Sequence, residues 1–140
     1  MNLTTVIDRI KAQCPEFKVI GGMAEFDTSL SAPAATPACY VIPQGEKPDD
    51  TQGIKFALQT VSIDFAVLIC LRNAKSGQGQ SSFDDLEPLR ISVRNAIYGY
   101  TPTDATAMIS FTGGQLLDFQ PGLMWWQDGY QTAHHIRSTP

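Results

Sequence analysis

Charge is what this sequence has least of. Its 140 residues hold 10 Lys and Arg against 14 Asp and Glu, 17% in all, where an average soluble domain carries about 25%. The net charge of -4 and pI near 4.9 argue against a dedicated nucleic-acid binder, which needs a clustered basic face. No apolar run approaches the ~18 residues of a membrane span. The opening Met1-Asn2-Leu3-Thr4-Thr5 has no basic segment leading into an apolar block, so no secretory signal is expected. Paired cysteines are missing too. Cys14, Cys39 and Cys70 are odd in number and far apart, which excludes the close pairs of a zinc or redox site and suits reduced, buried thiols in a cytosolic fold. The place of charge is taken by 12 Thr, 10 Gln and 9 Ser, while hydrophobic content stays at 43%. The expectation is one domain over 1–140 with a full core and an unusually neutral polar surface.

The pattern of apolar residues supplies the elements. Leu3, Val6, Ile7 and Ile10 recur at helical spacing, predicting an amphipathic helix over 3–14 that Pro15 ends. Residues 17–20 read as a short strand stopped by Gly21-Gly22, and 23–30 as one or two helical turns. The Pro-Ala stretch 32–37 reads as an extended connector. A short strand over 38–42 is closed by Pro43, and 44–53 reads as a polar loop. Over 56–72 every odd position from Val61 to Leu71 is apolar. The even positions change from Thr60, Ser62 and Asp64 to Ala66, Leu68 and Cys70. This predicts a strand in mid-sheet, buried on one face throughout and on the other only in its second half. Roughly 50 Å long at about 3.3 Å per residue, it should project from the body or bend. Residues 73–80 read as a flexible loop. A helix then starts at Asp84 or Asp85, because Pro88 is tolerated only in a first turn. Leu86, Leu89, Val93, Ala96 and Ile97 form its buried stripe, with Arg90 and Arg94 on an exposed flank. Strands over 107–119 and 123–137, joined by Gln120-Pro121-Gly122, make a long hairpin, with a bulge or bend at Gly113-Gly114. The fold class expected is α+β: one mostly antiparallel sheet with a long hairpin and helices packed on one face.

No catalytic constellation emerges. His134 and His135 are strand neighbours facing opposite ways, so they read as structural or surface residues rather than ligands of one metal. Asp118 and Asp128 flank the last turn, but their registers do not match, and they read as ordinary acids of the hairpin rim. Asp64 reads as a solvated strand residue. Gly77 and Gly79 precede a helix, but Asp84 and Asp85 would repel a phosphate there. No enzyme activity, cofactor or metal is expected. Trp125-Trp126 must face opposite ways, so at most one packs on the helix-side core. The other lies on the opposite face with Tyr130, or near the turn. It is either covered by a loop or belongs to an interface, where exposed tryptophan is common. A long strand, a long hairpin, aromatics on both faces and little charge suggest a module that assembles with its own copies.

The run 116–130, Leu-Leu-Asp-Phe-Gln-Pro-Gly-Leu-Met-Trp-Trp-Gln-Asp-Gly-Tyr, resembles the tail terminator proteins of long-tailed bacteriophages. The opening helix, the connector into Ala38-Cys39-Tyr40-Val41-Ile42-Pro43, the strand end Leu71-Arg72-Asn73 and Asp84-Asp85-Leu86-Glu87 fit the same family. Pro88 departs from the helix-friendly residue expected there. The resemblance implies a structural virion protein. It implies a ring, usually a hexamer, that caps the head-proximal end of the tail tube, stops its polymerisation and offers a docking face to the head completion (neck) proteins. DNA would pass through the bore without specific binding, and no membrane is involved. The protein would sit in the virion tail or neck, and in the host cytoplasm during assembly. On this reading the contacts involve Asp50, Lys75 and Gln78 on the two loops, and Trp125, Trp126 and Tyr130 on the hairpin. Another phage neck or tail-tube component is the alternative, followed by a small α+β enzyme or ligand-binding domain.

Overall fold

The computed structural model describes residues 1–28, 32–72, 79–120 and 122–139. The order is α1 (Thr4–Gln13), β1 (Val19–Gly21), α2 (Met23–Thr28), β2 (Ala38–Pro48), β3 (Leu58–Arg72), α3 (Gly79–Ile97), β4 (Ser110–Gln120) and β5 (Leu123–Arg137). One five-stranded sheet runs β1-β2-β3-β5-β4. Only β1 and β2 are parallel; the other neighbours are antiparallel. This is the α+β, mostly antiparallel sheet that the sequence predicts, and the long strand lies at its centre.

The alternation along β3 decides how the layers form. Its odd residues Phe65, Val67 and Ile69 join Val6 and Ile10 of α1 and Leu86, Leu89, Val93 and Ile97 of α3 in the main core. Its even residues Ala66, Leu68 and Cys70 join Ala38, Tyr40 and Ile42 in a smaller core on the other face. The two long helices thus share one face. The short α2 adds a cover to the other, where its Phe26 packs on the smaller core. Its position follows from the parallel β1–β2 pair, since parallel neighbours need a crossover between them.

Beyond residue 64 towards its start, β3 leaves the helices. Its first half continues as an arm with the end of β2 and the end of β5. Here the structure differs from the expected loop over 44–53. β2 runs on to Pro48, pairing Gly45 with Asp64, Glu46 with Ile63 and Lys47 with Ser62 after a bulge between Pro43 and Gly45. Pro43 does not end the strand because the bulge absorbs it, and Pro lies on an edge where no donor is required.

The second correction is the start of α3. It begins at Gly79, so Gly79 and Gln80 belong to a helix rather than to the expected loop, and Pro88 lies mid-helix. Pro88 is on the solvent side, while Leu86, Leu89 and Val93 on either side of it are buried. Burial of that stripe outweighs the roughly 3 kcal/mol that an interior proline costs. The cysteines are all reduced and buried. Burial raises the pKa of each thiol, to about 12 at Cys70.

Candidate functional site

The two tryptophans point to opposite faces, as strand geometry requires. Trp125 belongs to the smaller core, stacked on Tyr40 (ring centres 6.0 Å apart) and against the edge of Phe26 at 5.7 Å. Trp126 lies on the helix side, 4.7 Å under the Arg90 guanidinium and 5.9 Å from Phe83. Both are half-buried. Tyr130 shares the face of Trp126, because both positions are even. This corrects its expected place opposite the helix-side tryptophan. It is fully buried, stacked on Phe65 at 5.8 Å and met edge-on by Phe111. Burial, then the nearby Asp128 charge, drives its hydroxyl pKa up.

Beside Trp126 lies a charged cluster absent from the sequence reading. Asp128 is fully buried and accepts hydrogen bonds from Arg90 Nε at 3.0 Å, Arg90 Nη2 at 2.9 Å and Trp126 Nε1 at 2.9 Å. Arg90 Nη1 also pairs with Glu87 at 2.6 Å. Arg90 is therefore not on an exposed flank, and Asp128 is not a rim acid. A buried carboxylate is stable only when paired in this way. Gly114 completes the cluster. A side chain there would place its Cβ 2.4 Å from Asp128 Oδ1 and 3.0 Å from Arg90 Nη2, so only glycine lets β4 cross above the pair. The cluster ties α3, β5 and β4 together. Only Gly114 hinted at it in sequence, since 38 residues separate Arg90 from Asp128.

Asp118 stands opposite Trp125 and Asp128 opposite Gly114, so these two acids do not meet. Asp64 is half-buried and accepts a hydrogen bond from Gln131 Nε2 at 2.9 Å. His135 bonds Thr60 at 3.1 Å, and His134 stands opposite Val61. Among the described residues no group of three His, Cys, Asp or Glu could hold a metal, and no helix is long and apolar enough to cross a membrane.

The surfaces that remain are edges and protrusions. β4 is an outer strand, and all its described side chains over 110–119 are exposed. They include Phe111, Leu116, Leu117 and Phe119, with Leu116 half exposed. The opposite edge is blunted. β1 covers only Ala38 to Tyr40 of β2, and the rest carries Pro43, Glu46, Lys47 and Pro48. Prolines and charges are the usual protection of a free edge. A neutral hollow of about 300 Å³ lies on the face away from α1 and α3, lined by Gln44, Thr112, Gln115, Gln127 and glycine backbone. Asp50 is exposed where the chain leaves β2. Lys75 and Gln78 lie outside the described residues.

Among the described residues the open features are sheet edges and a projecting arm. The family model for phage tail terminator proteins matches residues 1–140, the whole chain, and the chain belongs to that family. It is therefore a structural component of a phage tail. No curated protein shows a significant match to it.

Proposed function

We propose that the chain closes into a ring, hexameric in the simplest case, that caps the head-proximal end of the tail tube. The ring ends tube polymerisation and presents a docking surface to the head completion proteins, so that it stays in the virion neck. The observation that carries this reading is β4. An edge strand exposed along its described length, bearing two Phe and two Leu, is a template for strand addition and a hazard in a free monomer. The tube end is the partner that covers it. Asp50, Lys75 and Gln78 are left for contacts with the neck proteins, and Trp125 and Trp126 support the β4 hairpin from its two faces. A ring of six chains of formal charge -4 each is strongly anionic, so DNA in the bore does not adhere.

Leu116→Lys with Leu117→Lys tests this. The pair should leave folding and ring mass unchanged while tails in infected lysates overrun their set length in electron micrographs. Tails of normal length with this variant as the sole copy would refute the reading. Deletion of residues 74–79 should leave rings intact but give headless or unterminated tails, and normal virions would count against the neck assignment.

A further inference from the structure

The arm ends in a side chain with no cover at all. Ile54 is as exposed as in an extended chain, at 102%, with Lys55 exposed beside it. The loop that holds it is tightly built. Gln52 and Leu58 exchange two backbone hydrogen bonds of 2.7 Å. Gly53 has φ of +117°, and a Cβ there would collide with the Phe56 carbonyl. Ala57 is bonded on both its N–H and its carbonyl by Ser138, and the Arg137 guanidinium lies 4.7 Å over the Phe56 ring. An isoleucine presented to solvent on a preorganised loop loses little entropy when it docks.

The same chain carries a hollow of suitable character. About 280 Å³ lies open between the start of α1 and β2, walled by Leu3, Ile7, Met23, Val41 and Pro43. A second hollow of about 190 Å³ adjoins it through Leu3 and Pro43 and adds Ile63 and Glu46. Its acidic wall is complementary to Lys55. The hollow sits at the base of the arm and Ile54 at its end. The stretch from Pro43 to Pro48, bulged at its start, separates them by up to about 17 Å, so a chain cannot fill its own hollow.

We infer that the arm tip of one copy seats Ile54 in the α1–β2 hollow of the next, with Lys55 against Glu46. Knob and hollow lie on different parts of one chain. The contact is therefore heterologous, the kind that closes into rings. It leaves the β4 edge to the tube. The inference rests on the ring reading above and deepens it by naming the contact between neighbours.

The test is mass against concentration for the full chain, alone and with tail tubes. Wild type should give a ring. Ile54→Ser, at a fully exposed position, should need at least tenfold more protein to do so and should show an unchanged melting curve. Lys55→Glu should weaken rings, and Lys55→Glu with Glu46→Lys should restore them. Ile54→Ser rings at wild-type concentration overturn the inference and leave the ring reading standing. A double variant no better than Lys55→Glu overturns the Lys55–Glu46 contact. Wild type that forms no ring with or without tubes overturns both readings.

Discussion

The half of the sheet beneath the helices and the half that projects past them are made from the same three strands. In the body, β2 buries every residue from Ala38 to Ile42 and β3 every residue from Phe65 to Cys70. In the arm, β2 exposes everything from Pro43 to Pro48, and β5 is exposed from His135 onwards. Backbone pairing is continuous through both halves; what changes is side-chain burial. The body therefore holds most of the stability, since burial is the dominant favourable term in folding. In the arm Val61, Ile63 and Thr132 stay buried on one face, and the other side chains are left partly or fully open. Substitutions should divide the same way: body residues govern melting, arm residues govern oligomer mass.

The largest expected effect is in the body. Asp128→Ala leaves Arg90 with Glu87 as its remaining partner and Trp126 Nε1 without its acceptor, costing about 3 kcal/mol. Phe65→Ala should cost a similar amount through lost packing in the main core. Denaturant titration measures both, and a loss under 1 kcal/mol from either would break the division. Pro88→Ala should act in the opposite direction. It restores a helical donor on the exposed side of α3 and should stabilise by about 1–3 kcal/mol; a destabilised variant would show that the proline packs against something essential.

Next comes pH. Burial is the leading cause that raises the thiols of Cys14, Cys39 and Cys70 above the ordinary 9.0. Below pH 9 both folded and unfolded chains keep these protons. Above it the unfolded chain loses them first, so the folded state loses stability as pH rises. Each fully buried thiol contributes a fall of up to about 1.4 kcal/mol per pH unit. The window opens near 9 and closes for Cys70 near 12. Cys39→Ala should flatten the decline between pH 9 and 10, and an unchanged slope would remove the thiol from the explanation. The smallest effect is in the arm. Glu46→Ala, at an exposed site, should change stability by no more than about 0.5 kcal/mol. A larger loss would mean that the arm holds up the fold after all.

Much of this division is legible in residues 56–72. Period-two alternation with a polar-to-apolar switch on the even positions marks where the strand enters the body, and the structure puts the change at Phe65. The helical stripes of α1 and α3 are equally plain, because a 3.6-residue period survives any detail of packing. The continuation of β2 beyond Pro43 is not legible. Gln44, Gly45, Glu46 and Lys47 have loop-like propensities, and their strand geometry comes from β3 alongside. Pro88 misleads for a related reason. A local rule about proline is overridden by a buried stripe that extends the helix on both sides. The clamp of Arg90 and Asp128 is invisible in one dimension, since each residue alone looks like a surface charge.

The sequence by itself determined the layers: which positions face a core, where strands alternate, and which family the chain joins through the run ending in Trp125-Trp126-Gln127-Asp128. These are consequences of local periodicity and residue type. Tertiary structure alone decided which charges are buried, which edge is blunted and which open, and that Ile54 stands uncovered at the end of an arm. Those outcomes depend on what lies across space from each residue, and the low charge that marked the sequence acquires its meaning there. Of the few charges present, Arg90 and Asp128 are spent inside the fold, while the open edge carries mainly apolar and neutral side chains and the arm tip sets Ile54 beside Lys55.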